Sequence, residues 1–220
     1  MIQDQPKPEF FSKLLGLALI GEHNTDQAIA EYRKAIELDP RNALIHIVLG
    51  DVLSDQGKTD DAIAEYRKAI ELAPRDAAPH SSLGAALSDQ GKTDDAIAEY
   101  RKAIELAPRD AAPHSSLGAA LNDQHKTDEA IAEYNAAIRL DPKNAYPVPW
   151  LYLARARSGA QIAAAELETN GKKLKQPGWP YPVVQLFLGR RTPEATLALA
   201  ISILGNGACC GATVRRPWWR

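Results

Sequence analysis

The stretch Asp55–Leu87, DQGKTDDAIAEYRKAIELAPRDAAPHSSLGAAL, recurs without one change as Asp89–Leu121. A catalytic site is a single constellation, so a stretch copied whole points to stacked structure before chemistry. A period of this length is the signature of a repeat architecture. A shift of 34 residues brings the other landmarks into line. Leu15, Leu49, Leu83 and Leu117 coincide, each followed by Gly16, Gly50, Gly84 and Gly118. So do Ala28, Ala62, Ala96 and Ala130, then Tyr32, Tyr66, Tyr100 and Tyr134. Ala35, Ala69, Ala103 and Ala137 follow, and Pro40, Pro74, Pro108 and Pro142 close each repeat.

Each repeat reads as two helices. In the second, Thr59 is the expected N-cap, with Asp60 and Asp61 favourable at the positive end of the dipole. Ala62, Tyr66, Ala69 and Ile70 share one face at helical spacing. Pro74 ends the helix, because the residue before a proline resists helical torsions. In the first helix Leu49, Gly50 and Leu53 form a stripe, and Gly57 is placed to cap it in a left-handed conformation. Gly50 and Ala62 let the two backbones approach, and Tyr66 fills the space that remains. Glu65, Arg67, Lys68 and Glu71 read as a solvated outer face of mixed sign. One such hairpin cannot bury its apolar face alone, so neighbours must stack.

These residues closely resemble the tetratricopeptide repeat (TPR). The Leu-Gly pair, the small residue opening the second helix, the aromatic four residues later, the alanine and the closing proline all recur. The resemblance implies an all-α fold, a right-handed superhelical α-solenoid of antiparallel helix pairs. It covers four repeats, 9–42, 43–76, 77–110 and 111–144, after a tail of 1–8. Two departures shrink the core. Ser12, His46, His80 and His114 stand where the family has Trp, and Leu19, Leu53, Leu87 and Leu121 where it has Tyr.

Composition narrows the functions. Net charge is -2, so there is no electrostatic footprint for nucleic acid or an anionic membrane. No run approaches the roughly 18 apolar residues of a membrane span. The early stretch FFSKLLGLALIG follows Asp4, Lys7 and Glu9 and is broken by Lys13, so it reads as a first helix and not a signal peptide. The only cysteines, Cys209 and Cys210, give no disulfide framework or metal motif. A cytoplasmic location is expected, with the cell envelope as the alternative should the N-terminus be incomplete.

No catalytic residues, cofactor or metal site are expected. Equivalent histidines in stacked repeats stand about 10 Å apart, whereas zinc takes ligand atoms at about 2.0–2.1 Å. His46, His80 and His114 therefore read as half-buried packing residues. His23 and His125, in the place of Gly57 and Gly91, read as turn residues. The resemblance implies that the first helices line a groove for a protein or peptide partner. Its expected residues are Phe10, Lys13 and Leu17, then Leu44, Ile47 and Asp51 with Asp55 beyond. Ala78, Ser81, Ala85, Ser88 and Asp89 follow, then Ala112, Ser115, Ala119, Asn122 and Asp123. This groove runs from apolar to small and acidic, which suits a peptide with an apolar end and a neutral or basic end. Some relatives grip a C-terminal carboxylate with Lys and Asn. Here Ile47, Ser81, Asp51 and Ala85 hold those places, so that clamp is absent from the second and third repeats.

After Pro142 the register fades. Residues 145–204 read as a degenerate repeat and helical cap: helices over Ala145–Ser158 and Ala160–Leu174, a QPGWPYP loop, then helices over Val183–Leu188 and from Thr192 to about Leu204. The stretch WPYPVVQLFLGRRTPEATLA is similar to the region after the repeats in some bacterial tetratricopeptide proteins. Residues 205–220 read as a disordered or aberrant tail, either out of frame or a basic-aromatic tail carrying Arg215, Arg216, Trp218 and Trp219. The function expected is a non-catalytic adaptor or assembly scaffold. The alternatives are an accessory or regulatory part of an enzyme system, a frameshifted fragment of a larger repeat protein, and self-association.

Overall fold

The computed structural model describes residues 24–144 and 146–158. Among these residues there are helices and turns only, as the repeat pattern requires. The helices are α1 (Thr25–Leu38), α2 (Ala43–Asp55), α3 (Thr59–Leu72), α4 (Ala77–Asp89), α5 (Thr93–Leu106), α6 (Ala111–Asp123), α7 (Thr127–Leu140) and α8 (Pro147–Arg157). The chain divides into two compact bodies, residues 1–108 and 109–220. In the first, α2 packs on α3 and α4 on α5, while α1 lies against α2 and α3 against α4. In the second, α6 packs on α7 and α7 on α8. The expected first helix around Phe10–Leu19, the turn residue His23, the helices after Ser158 and the tail 205–220 lie outside the described residues. Helix α8 falls within the expected Ala145–Ser158.

Each hairpin turn is a Schellman cap. Gly57 sits at φ 77 and donates its N–H to Ser54 O at 2.9 Å. Lys58 N–H reaches Leu53 O at 2.9 Å, satisfying a second end carbonyl. Gly91 repeats this at φ 75. His125 holds the same place at φ 60 and is a turn residue as expected. A residue with a Cβ is strained there by about 1–2 kcal/mol. His125→Gly is therefore expected to raise the thermal midpoint of the second body by about 4–8 °C, read by near-ultraviolet circular dichroism.

The expected N-cap at Thr59 is corrected. Lys58 occupies that position and Thr59 is the first helical residue. The Schellman turn consumes the Lys58 N–H, and the Lys58 carbonyl accepts the first intrahelical bond from Ala62 at 3.0 Å. The side-chain caps lie instead on the first helices. Asp76 Oδ1 accepts from Ala78 N–H and Asp110 Oδ1 from Ala112 N–H, both at 3.0 Å.

The core repeats with the sequence. Ala28, Ile29, Tyr32 and Ala35 are buried on α1, as are Ala62, Ile63, Tyr66 and Ala69 on α3 and Ala96, Ile97, Tyr100 and Ala103 on α5. Ile63 thus takes the buried place expected of Ile70, which is half-buried. A Cβ built on Gly50 would lie 2.6 Å from Tyr66 Cε1, and one on Gly84 2.8 Å from the Tyr100 ring. The glycine is therefore required by the tyrosine of the following helix.

Candidate functional site

Three hydrogen-bonded pairs cross the hairpins. His46 Nδ1 lies 2.7 Å from Glu65 Oε2, and His80 Nδ1 is 2.6 Å from Glu99 Oε2. His114 Nδ1 is 2.6 Å from Glu133 Oε2. An ionised carboxylate can only accept, so Nδ1 carries the proton in each pair. His46 and His80 are buried, at 5% and 7% exposure. Expectation is corrected on Glu65: it faces the neighbouring helix and is 27% exposed at its side chain. The histidines pack as expected but also fix the hairpin by a polar contact. Glu65→Ala leaves a buried ring N–H without its acceptor and is expected to cost about 1–3 kcal/mol. Glu65→Gln, which keeps an acceptor, should cost less in the same urea titration.

The remaining outer face is solvated. Lys68 Nζ donates to Glu71 Oε2 at 2.8 Å, and Lys102 Nζ to Glu105 Oε2 at 2.9 Å. The hydrogen bond from Lys68, then its charge, holds the Glu71 carboxyl below its ordinary value. The contribution of that pair is present at neutral pH and is lost as pH falls through the lowered value.

The first-helix residues expected to meet a partner divide by body. In the first body, Leu44 is 48% exposed at the start of α2. Asp51, Asp55, Ala78 and Asp89 are exposed, and Ser81, Ala85 and Ser88 are half-buried. Ile47 is closed off at 8% exposure, so it is a core residue and not a groove anchor. In the second body, Ala112 and Asp123 are exposed, Ala119 and Asn122 half-buried. Ser115 is buried at 4% exposure, which likewise removes it from an open face. Phe10, Lys13 and Leu17 lie outside the described residues.

Asp51 is corrected in role. Tyr66 Oη donates to Asp51 Oδ1 at 2.7 Å, and Ser82 Oγ approaches the same oxygen at 3.4 Å. Asp51 therefore ties α2 to α3 and marks the seam where α2 meets α4. Ser82 was not anticipated; it lies four residues after Ala78, on the side of α4 turned to α2. A second link in this body also joins repeats. Gln56 Nε2 donates to Asp26 Oδ1 at 2.9 Å, and Gln90 Nε2 to Asp60 Oδ1 at 2.6 Å. Both pairs are separated by the same number of residues, a recurrence readable in the repeat once the contact is known.

At the seam α2 carries the exposed Leu44, Asp51 and Asp55, and α4 carries the exposed Ala78 and Asp89 with the half-buried Ser81 and Ala85. Neither helix contains a lysine or arginine. The second helices of the same body carry the positive charge, as Arg33, Lys34, Arg67, Lys68, Arg101 and Lys102. Among the described residues no cluster of three or more His, Cys, Asp or Glu side chains could hold a metal ion. No helix among them is long and apolar enough to cross a membrane.

Comparison with known proteins agrees with the architecture. The model of the TPR repeat matches residues 16–57, 50–91 and 86–125, and that of the tetratricopeptide repeat matches 114–144. No curated protein sequence matches the chain. Among solved structures, one of MamA is 25% identical, with a TM-score of 0.64, covering 75% of this chain and 88% of MamA. PilF of Pseudomonas aeruginosa is 20% identical, with a TM-score of 0.71 and 93% of each chain covered. YrrB, described as a TPR protein with an unusual peptide-binding site, is 21% identical. Its TM-score is 0.62, over 80% of this chain and 89% of its own. With the pattern of Leu-Gly, Ala, Tyr and Pro built into paired helices, the chain belongs to the tetratricopeptide repeat family.

Proposed function

We propose that this chain is a non-catalytic interaction and assembly module that holds a peptide or helix of a partner protein on its first helices. One observation carries this reading. The first helices of the first body expose a stripe: Leu44 and Ala78 are open and Ala85 is half-open, while every other large apolar residue of α2 and α4 is buried or half-buried. The fold supports the class of function, and the peptide-binding site attributed to YrrB supports a peptide as occupant. The duplicated stretch then lengthens the scaffold by one repeat without adding a reacting group.

The test is a quantitative pull-down with the intact chain and with a Phe10→Ala/Leu44→Ala variant. A set of proteins retained by the first and lost from the second is expected. Equal retention by both would count against the first-helix face. Ile47 is left intact, since its burial would confuse loss of contact with loss of fold.

A further inference from the structure

We propose that the aromatic face at the start of α8 is covered by the chain's own proline-rich segment, residues 176–182, laid across it in extended form. This inference is independent of the first-helix face of the first body and concerns how the second body ends.

The second body leaves apolar surface open where α7 hands over to α8. Leu140, the last residue of α7, is 38% exposed, and Tyr146, just before α8, is 46% exposed. The Tyr146 and Trp150 ring centroids stand 6.3 Å apart, with the planes tilted by 52°. Trp150 is half-buried. The turn holds Tyr146 in place: Asn144 Oδ1 accepts from Tyr146 N–H at 3.0 Å, and Asp141 Oδ1 from Lys143 N–H at 3.1 Å. Ala78 and Ala112 take the same register place in the two preceding repeats, so the open aromatic belongs to this turn and not to those.

An open aromatic pair suits a proline-rich extended chain. Proline rings lie flat on aromatic faces, and the extended form is set beforehand, so little entropy is lost on docking. The chain carries such a segment, QPGWPYP, at residues 176–182. Pro177, Pro180 and Pro182 lack the N–H that a helix interior uses, and each restrains the residue before it to extended torsions. The run of first helices therefore does not continue through this segment.

Chain length brings the segment to the face. Helix α8 has 11 residues, about 16 Å of helix. Residues 160–174 read from the sequence as the returning helix of this hairpin, about 22 Å long. An antiparallel return ends about one turn beyond the start of α8, level with Tyr146. The period agrees, because a shift of 34 residues puts Pro180 in the register of Tyr146. Neighbouring helix axes lie about 8–10 Å apart. A proline-rich chain rises about 3.1 Å per residue and crosses that gap in about three residues. Docked in this way, the segment closes the end of the repeat stack and withdraws Tyr146 and Leu140 from water and from a second copy.

The experiment is nuclear magnetic resonance on the full chain, deuterated except at tyrosine, tryptophan and proline. Nuclear Overhauser contacts from the Tyr146 and Trp150 rings to Pro180 or Pro182 are expected, with those proline protons moved upfield by the aromatic faces. Tyr146→Ala should abolish the upfield shift while the amide signals of α6 stay in place. In a separate readout, trypsin should cleave after Lys175 about tenfold faster in Tyr146→Ala and in Pro180→Ala/Pro182→Ala than in the native chain, since cleavage follows the undocked population. Proline signals unshifted and without contact to either ring would overturn the proposal. Ring contacts only to residues outside 176–182 would overturn it too. Contacts found only between differently labelled copies would make a second copy the occupant and overturn it as well.

Discussion

Replacing Tyr66 with alanine is expected to lower the stability of the first body by about 3–5 kcal/mol, the cost of emptying a buried aromatic site. Tyr66 is 1% exposed and fills the space that Gly50 and Ala62 leave between α2 and α3. The substitution also removes the hydroxyl that donates to Asp51 Oδ1 at 2.7 Å. Tyr66→Phe separates the two contributions: it keeps the ring and is expected to cost about 0.5–1.5 kcal/mol, the net worth of one hydrogen bond. All four tryptophans lie at or beyond residue 150, so far-ultraviolet circular dichroism in urea is the probe that sees the first body. A loss for Tyr66→Ala no larger than for Tyr66→Phe would mean that the ring is not the packing element described here.

Gly50→Val is expected to destabilise the native chain by about 1–3 kcal/mol, because added methyl groups overpack a filled site. The Cβ alone would stand 2.6 Å from Tyr66 Cε1 and 2.8 Å from Cδ1. Tyr66 is held on its other side by the hairpin core and cannot swing away. In the Tyr66→Ala background the same valine enters the vacated space. Its cost should therefore shrink by about 1 kcal/mol or more, within the coupling range of touching residues. Strict additivity in this cycle would show that glycine is kept at this position for another reason than the tyrosine. The same cycle at Gly84 and Tyr100 adds a stiffer neighbour, since the Ala96 carbonyl oxygen lies 3.2 Å from the built Cβ.

The repeat, its helix pairs and most of its core were legible because they are local or periodic. Gly57 announced its left-handed turn, and His125 was readable as its substitute. The polar contacts were less legible because they join residues distant in sequence. Glu65 looks like part of a solvated outer face until the fold brings it to His46, though the His-to-Glu spacing recurs unchanged as His80–Glu99 and His114–Glu133. Thr59 looked like a cap because the type of residue was right. The preceding glycine turn decided otherwise by giving Lys58 the cap position. The resemblance places Ile47 and Ser115 on the partner side, but neither is open at its surface. A stripe carried over by register has no width, and packing against neighbouring helices trims its edges. Asp51 shows the converse: its acidity was plain, whereas its engagement by Tyr66 and Ser82 depends on which helices adjoin.

The proposed function lies on the first-helix face of the first body, and photo-crosslinking in cells tests that placement most directly. A photoreactive benzoylphenylalanine is introduced singly at Leu44 and Ala85 on that face, and at Arg67 and Lys102 on the solvated side of α3 and α5. Discrete adducts of higher mass from Leu44 and Ala85, with none from Arg67 or Lys102, are predicted. Adducts from α3 and α5 in place of α2 and α4 would contradict it.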